Sequence, residues 1–297
     1  MKILVTGAAG FLGTNLLLAL SHADEANTVL GVVRCLPKNP CTSVYYLLAD
    51  LSSPSWTTQL PDENFDVVIH LAQSRFYRDF PSKAIDIFNI NVRATVELAE
   101  WSMKHGVQRF LFASTGNVYG QGQVVHREED ACHPDTMYGA TKLSAEILLK
   151  PFSAYMTILP LRIFGVYGPG QVNAMLPNVM QRFNAGDEIT LASNVGVKFN
   201  PIFVKDCISA IRRLISLPIP SRFEVLNIGG PEPLDLKYVA ELLESFSGRK
   251  ALTRTTPDPS LQLLGSNEKF FQLCGSSGYT RFDDGLRKTF DFFNKTY

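Results

Sequence analysis

A glycine-rich segment, residues 6–13, directly follows a short apolar run at residues 2–5. The apolar run predicts a buried strand, and the glycine-rich segment leads into a helix predicted for residues 10–21. Glycines in such a turn let backbone amides approach a pyrophosphate, while the helix N-terminus contributes partial positive charge. Three glycines alone fit a tight structural turn equally well, but their place after the first strand favours a dinucleotide-binding loop. Its predicted contacts are Gly7, Gly10, Phe11, Leu12 and Gly13.

Short apolar runs alternate with amphipathic stretches through the first half of the chain, which is typical of a parallel sheet covered by helices on both faces. The runs predicted as strands are residues 2–5, 28–33, 44–48, 67–71, 109–113 and 156–162. Further helices are predicted for residues 84–104 and 137–149. The pattern predicts an α/β fold, a Rossmann-like doubly wound parallel sheet with a smaller C-terminal substrate lobe.

The pattern loosens after about residue 165, where turn-forming residues precede a helix predicted for residues 175–185. Residues 202–204 and 224–228 are predicted to return to the sheet, and residues 234–246 and 283–293 to form helices. We therefore predict a dinucleotide-binding domain at residues 1–165, rejoined by about 197–230. Residues 166–297 mainly form the substrate-binding lobe.

The charges of the chain balance, with 28 basic and 28 acidic residues and no run of five like charges. Nucleic acid and anionic membranes are therefore not expected as partners. No apolar stretch approaches the ~20 residues of a membrane span. The five cysteines are scattered and form no CxxC pair, so we expect reduced thiols, no metal site and a cytoplasmic protein.

The end of the second predicted strand is where an acidic residue usually binds the adenosine ribose of a dinucleotide. This chain has Arg34 at that place. A guanidinium cannot accept a hydrogen bond from a 2′-hydroxyl, but its planar fork suits a 2′-phosphate. We therefore predict NADP as the preferred cofactor, with Lys38 assisting and NAD as the alternative. Arg34 could instead stack on the adenine or face solvent.

Tyr138 and Lys142 lie four residues apart in a predicted helix and so share one face. The reference pKa of tyrosine is about 10, and a nearby ammonium lowers it by favouring the phenolate. Thr115 ends a predicted strand, at the edge where open α/β sheets bind ligands, and its hydroxyl can orient a reacting oxygen. These residues predict an acid/base site with Tyr138, Lys142 and Thr115 as catalytic residues.

The ordered set of motifs resembles the extended short-chain dehydrogenase/reductase family, which contains NAD(P)-dependent sugar epimerases and dehydratases. The resemblance covers nearly the whole chain. Besides the glycine-rich loop and the Tyr138/Lys142 pair, it includes Asp50-Leu51, His70-Leu71-Ala72, Asn91, Ser114-Thr115, Leu161-Arg162 and residues 166–170. By this resemblance, Asp50, Leu51, Leu71, Ala72 and Asn91 belong to the cofactor site.

The resemblance also implies a reaction. Tyr138 would exchange a hydroxyl proton while hydride passes between a substrate carbon and the nicotinamide. Thr115 would steady the same oxygen, and Lys142 would also hold the nicotinamide ribose. The family implies a homodimer packed through two long helices.

Several positions depart from the family pattern. Dehydratases carry an acidic pair just after the catalytic threonine, where this chain has Gly116 and Asn117, so elimination of water is not expected. An arginine that binds a nucleotide-sugar diphosphate is replaced within residues 199–201, and Lys198 or Arg182 would have to compensate.

The predicted substrate contacts are Gln73, Arg75, Thr115, Asn117 and Tyr138. Residues 171–176 could form a lid or an ordinary surface loop. The leading hypothesis is an epimerase or oxidoreductase acting on a sugar-like alcohol or ketone, either free or nucleotide-linked. The alternative is a non-catalytic NADP-sensing or scaffold protein on the same fold.

Overall fold

The computed structural model describes residues 1–21, 27–122, 124–275 and 278–296. The chain divides into two compact units. Unit 1 consists of Met1–Gly120, Ala131–Arg162 and Ile208–Leu226, and unit 2 of Gln121–Asp130, Ile163–Cys207 and Asn227–Tyr297. Both units are therefore discontinuous in sequence. The return to unit 1 falls inside the predicted stretch of 197–230, while the short excursion at 121–130 has no counterpart in the sequence prediction.

A seven-stranded sheet, most of whose residues belong to unit 1, has the strand order β10-β7-β5-β4-β1-β2-β3. Its strands are Lys2–Thr6 (β1), Thr28–Val33 (β2), Val44–Leu48 (β3), Val67–His70 (β4), Arg109–Thr115 (β5), Thr157–Ile163 (β7) and Leu226–Ile228 (β10). The registered pairs among β1 to β5 are parallel. The apolar side chains of β1 and β4 are buried on both faces of the sheet, as the apolar runs predict. The doubly wound parallel sheet is thus confirmed.

The helices are Phe11–Ser21 (α1), Ala84–Phe88 (α2), Ala94–Lys104 (α3), Met137–Leu149 (α4), Met175–Ala185 (α5), Val204–Ser216 (α6), Leu236–Ser247 (α7), Glu268–Cys274 (α8) and Phe282–Thr296 (α9). A π-helical turn, Asn89–Arg93, joins α2 to α3 within the helix predicted for 84–104. Within the described ranges, no helix combines the length and the apolar character needed to cross a membrane.

Unit 2 contains two small sheets. One has the order β11-β9-β13-β6 and the other pairs β12 with β8. Their strands are Val125–His126 (β6), Ile189–Ala192 (β8), Lys198–Phe199 (β9), Leu234–Asp235 (β11), Thr253–Thr256 (β12) and Gln262–Gly265 (β13). Several of these strands have only two residues, which is too short for a periodic pattern to be seen in sequence.

Residues 202–204 do not return to the large sheet, contrary to the prediction. Phe203 forms an isolated parallel bridge with Tyr167, and α6 begins at Val204. The apolar triplet is buried because Ile202 and Phe203 pack inside unit 2. Burial, and not strand formation, explains its composition. The strand predicted for 224–228 does join the sheet, through β10.

Candidate active site

The carboxyl ends of β1, β4 and β5 are level with one another. The register pairs Thr6 with His70 and His70 with Phe112. The residues that follow these three positions therefore lie along one edge of the sheet. The strand order reverses direction between β1 and β4, and ligands of open α/β sheets bind at such a switch point.

The glycine-rich loop closes tightly over this edge. Gly7 has a φ of 69°, a conformation that glycine adopts without strain, and a Cβ there would lie 2.7 Å from the backbone nitrogen of Ala72. A Cβ on Gly13 would lie 2.2 Å from the carbonyl oxygen of Gly7. These two glycines let the loop pack against β4 and against the first turn of α1. Gly10 remains exposed.

The other predicted cofactor contacts surround the same edge. Phe11 and Leu12 begin α1 and are half-buried, Leu71 is half-buried, and Leu51 and Ala72 are buried. Arg34 is exposed directly after β2. Asp50 accepts hydrogen bonds from the backbone N–H and hydroxyl of Ser52, which lower the pKa of its carboxyl group.

Tyr138 lies in the first turn of α4, whose N-cap is the Thr136 side chain. Its phenol donates a 2.9 Å hydrogen bond to Oε1 of Gln73 and interacts with the hydroxyl of Thr115. Burial raises the pKa of the phenol, and the Thr115 hydrogen bond opposes this shift. Its ring lies 5.0 Å from the ring of Tyr77. Desolvation therefore works against the lowered tyrosine pKa expected from the sequence, which stays a prediction for the site with its cofactor.

Lys142 is 1% exposed, and its ammonium donates a 2.8 Å hydrogen bond to the carbonyl oxygen of Ala113. The Nζ atom also lies 4.7 Å from the ring centroid of Phe112. Burial lowers the pKa of Lys142 to about 7, and the charge of Glu146 partly opposes this shift. The ammonium is thus held one helical turn from Tyr138, at the same sheet edge.

Asn91 lies in the π-helical turn and has no exposed surface. Its Oδ1 accepts from the backbone N–H of Ser74 at 2.9 Å, and its Nδ2 donates to Oγ1 of Thr141 at 3.1 Å. The Asn91 amide thus joins the segment after β4 to α4. Its predicted contact with a cofactor stays a prediction. A π turn often occurs where a helix must present one side chain in this way.

His70 is buried, and burial lowers the pKa of its imidazole to about 3. Thr95 donates its hydroxyl proton to the carbonyl oxygen of Asn91, so its oxygen must accept from Nε2–H of His70, 2.8 Å away. The other ring nitrogen, Nδ1, then accepts from the hydroxyl of Thr6. His70 is therefore a neutral connection between β1, β4 and α3.

The remaining predicted substrate contacts lie in different segments of the chain. Gln73 and Arg75 are exposed in the segment after β4, where the Arg75 guanidinium lies 4.5 Å from the ring centroid of Phe76. Asn117 is half-buried, and its backbone N–H donates to Oγ1 of Thr115. In unit 2, Arg182 donates to the carbonyl oxygen of Glu188.

A buried ion pair near this site escaped the sequence analysis. Glu146 of α4 and Arg162 of β7 are joined by a 2.8 Å contact between Oε2 and Nη2. Ser114 donates to Oε1 of the same carboxylate, and Arg162 donates to the hydroxyl of Tyr119 at 2.8 Å. The available signal was the spacing of Glu146, four residues beyond Lys142 and eight beyond Tyr138, which places all three on one helix face.

Comparison with known proteins identifies the family of this chain. A model of the NAD dependent epimerase/dehydratase family matches residues 3–229. An uncharacterized UDP-glucose epimerase, YtcB, of Bacillus subtilis (strain 168) is 29% identical, over 100% of this chain and 99% of its own length. A dTDP-glucose 4,6-dehydratase of Mycobacterium tuberculosis (strain CDC 1551 / Oshkosh) is 25% identical, over 99% of this chain and 93% of its own length.

Among solved structures, MoeE5 in complex with UDP-glucuronic acid and NAD superimposes with a TM-score of 0.88. It is 26% identical, and the match covers 100% of both chains. The sheet, the glycine-rich loop and the family match all lead to one assignment: this chain belongs to the NAD dependent epimerase/dehydratase family.

Proposed function

We propose that this protein is an NAD(P)-dependent epimerase that inverts one carbon of a sugar carried on a nucleotide. The observation that carries the proposal is the Tyr138 phenol, held between Gln73 and Thr115 one helical turn from a buried lysine. Proteins similar over the whole chain include a UDP-glucose epimerase and one that binds UDP-glucuronic acid and NAD.

The residues at the sheet edge fit a dinucleotide. The loop of residues 6–13 has glycines where a Cβ would block its fold, and it leads directly into the N-terminus of α1. Bound NAD(P)⁺ supplies the hydride acceptor for oxidation of a sugar hydroxyl. Gly7, Gly10, Phe11, Leu12 and Gly13 would hold its pyrophosphate.

Tyr138 would accept the proton of that hydroxyl. Thr115 donates a hydrogen bond that favours the phenolate, whereas Oε1 of Gln73 accepts a hydrogen bond from the neutral phenol and, as an amide oxygen, does not take its proton. The phenol must therefore lose its proton to solvent before it acts as the base. The ammonium of Lys142, one helical turn away, would favour the phenolate further. The inversion would be completed when the hydride returns to the opposite face of the carbon and Tyr138 returns the proton to the oxygen of that carbon.

We propose epimerisation over dehydration because of the turn that follows Thr115. Dehydration needs an acid and a base to remove water from adjacent carbons. Gly116 and Asn117 stand at those positions and provide neither. The family itself contains dehydratases, so the products of the reaction decide this point.

NADP is proposed as the preferred cofactor form, with NAD as the alternative. Arg34 is exposed directly after β2, where it can form a forked contact with a 2′-phosphate. Lys38 is also exposed and close in sequence. The similar protein MoeE5 binds NAD, so this proposal is specific to the arginine of this chain.

This chain lacks the arginine that the family pattern uses to bind a nucleotide diphosphate, so another cation would have to take its place. Asn200 lies within the segment that replaces the expected arginine, and its amide bonds the backbone of Gly230 and Gly265 inside unit 2. It therefore supports the fold of unit 2. We propose Lys198 or Arg182 as the cation that takes over the diphosphate contact.

We further propose a homodimer in the cytoplasm. Large apolar side chains are exposed on α2 and α4 of unit 1, namely Ile85, Phe88, Ile147 and Leu148. A contact through these helices would bury them. A reducing compartment fits the cysteines, none of which forms a disulfide in the described part of the chain.

The function is tested by incubating the purified protein with NAD or NADP and a panel of UDP-glucose, UDP-glucuronic acid and free glucose. We expect NMR spectra to show the epimer of one nucleotide sugar. When the reaction runs in D₂O, the inverted carbon should carry no deuterium, because its hydride is returned internally. Cofactor binding without turnover would support the sensor or scaffold alternative, and loss of 18 mass units would identify a dehydratase.

A further inference from the structure

Tyr138, Lys142 and Glu146 of α4 each contact one of the last three residues of β5. Lys142 donates to the carbonyl oxygen of Ala113, and Ser114 donates to the carboxylate of Glu146. Thr115 interacts with the phenol of Tyr138. The three helix residues are four positions apart, so one face of α4 meets the end of β5 over two turns.

The contact furthest from Tyr138 is also the most constrained. Glu146 is 3% exposed and Arg162 is 5% exposed. The Nε and Nη2 atoms of Arg162 both donate to the carboxylate, within 2.8 to 3.3 Å. Burial alone lowers the pKa of Arg162, but the hydrogen bonds and charge of Glu146 raise it above its usual value. Arg162 therefore keeps its charge against Glu146, with the geometry of a forked ion pair.

We propose that Glu146, fixed by Arg162 and Ser114, is a positioning residue that keeps Lys142 in its ammonium form beside Tyr138. The catalytic meaning of this role rests on the proposed function, whereas the effect on the charge of Lys142 does not. Arg162 orients the carboxylate and thereby determines how much of its negative charge acts on Lys142.

The other groups around Lys142 do not supply this negative charge. His70 on β4 is neutral and buried. The phenol of Tyr138 is protonated at neutral pH because burial raises its pKa. On α2, Asp86 accepts from the hydroxyl of Ser74. Glu97 on α3 is paired with Arg93. Glu146 is the group whose charge opposes the desolvation of Lys142.

The test is a pH titration of the full chain labelled with ¹³C at the lysine ε-carbon, with Lys142 assigned by the signal missing in Lys142→Met. In Glu146→Gln we expect the midpoint of Lys142 to fall by about one pH unit or more, because the opposing carboxylate is gone. In Arg162→Met we expect it to stay or rise, because the carboxylate is no longer neutralised by the guanidinium.

Opposite responses of the two variants separate this role from a merely structural one. If Glu146 only held the helix in place, both changes would disturb Lys142 in the same direction. That result, or an unchanged midpoint in Glu146→Gln, would overturn the proposal. Should either single variant unfold, the double variant Glu146→Gln/Arg162→Met removes both charges together. Its Lys142 midpoint must still fall.

Turnover provides the second readout. If the ammonium is needed, activity is lost as pH rises through the pKa of Lys142. The alkaline limb of kcat should then move to lower pH in Glu146→Gln, with KM little changed, and Glu146→Asp should restore part of the shift. If the wild-type protein turns over no nucleotide sugar, the proposed function fails, while the titration still decides the role of Glu146.

Discussion

The phenol of Tyr138 donates a hydrogen bond to Oε1 of Gln73, which lies 65 positions earlier in the chain. The contact joins the first turn of α4 to the segment after β4. Asn91 supports that segment through the backbone N–H of Ser74. A residue outside the helix thus orients the phenol that acts as acid and base in the proposed reaction.

Replacing Gln73 should alter the acidity of Tyr138. Gln73→Ala removes one neutral hydrogen bond and should lower kcat/KM about fivefold. Gln73→Glu places a carboxylate against the phenol, which disfavours the phenolate and raises its pKa. The acidic limb of the kcat/KM profile should then move to higher pH by about one unit. Equal profiles for the two variants would contradict the contact.

Tyr138→Phe should remove turnover while leaving cofactor binding nearly intact. The phenol moves a proton in the proposed step, a contribution of about 10²- to 10⁴-fold in rate. Turnover is followed by NMR and cofactor binding by calorimetry. Tyr155→Phe, which changes an exposed tyrosine of unit 1, is the matched control and should retain full activity. Substantial activity in Tyr138→Phe would refute the assignment.

The apolar runs predicted the central sheet strands because the side chains of β1, β4 and β5 are buried on both faces of the sheet. The same method misread residues 202–204, since burial inside unit 2 requires the same side chains as a strand does. The helix of 84–104 was also predicted as regular. Nothing in its composition indicates the π turn that presents Asn91.

At the site, the motif spacing placed Tyr138, Lys142 and Thr115 at the sheet edge correctly. It could not give the direction of the Tyr138 pKa shift, because burial is a property of the folded neighbourhood. The partners of Asn91 and Glu146 come from elements up to 50 residues away, and side-chain contacts of that range leave no local pattern.

Gly7→Ala and Gly106→Ala form a matched pair for the packing of the glycine-rich loop. The two glycines have φ values of 69° and 66°, so both substitutions strain the backbone by about 1 kcal/mol. Only at Gly7 does the new Cβ meet neighbouring backbone, at 2.7 Å from Ala72, which should add about 1 to 3 kcal/mol. Urea unfolding measures the difference. Equal losses would mean that the loop does not pack on β4.

Arg34→Ala should separate the two cofactor forms. If the guanidinium binds a 2′-phosphate, the variant should lose about tenfold in NADP affinity and little in NAD affinity. Isothermal titration with both cofactors measures this. Arg222→Ala, which removes the same charge from a guanidinium bonded to Ala154, is the control. Equal or tighter binding of NAD by the wild-type protein would end the NADP proposal.

His70 should make the stability of the protein depend on pH below neutrality. Burial lowers the pKa of its imidazole to about 3, so between pH ~6.5 and ~3 the unfolded chain binds a proton that the folded chain excludes. The contribution of His70 to stability is therefore complete above the unfolded pKa and falls as pH decreases, by about 1.4 kcal/mol per pH unit.

His70→Gln should be less stable at pH 7, because the bonds to Thr6 and Thr95 are disturbed. Its stability should, however, fall less steeply with decreasing pH than that of the wild type, because the contribution of His70 to the pH dependence is gone. Urea unfolding at pH 7 and pH 5 gives the comparison, with exposed His133→Gln as the control that keeps the wild-type slope. Since His126 also has a lowered pKa, some slope remains in every variant, and the difference between His70→Gln and the wild type is the quantity that tests His70. An unchanged slope would show that His70 accepts a proton in the folded protein, which its bonds to two hydroxyl groups do not allow without rearrangement.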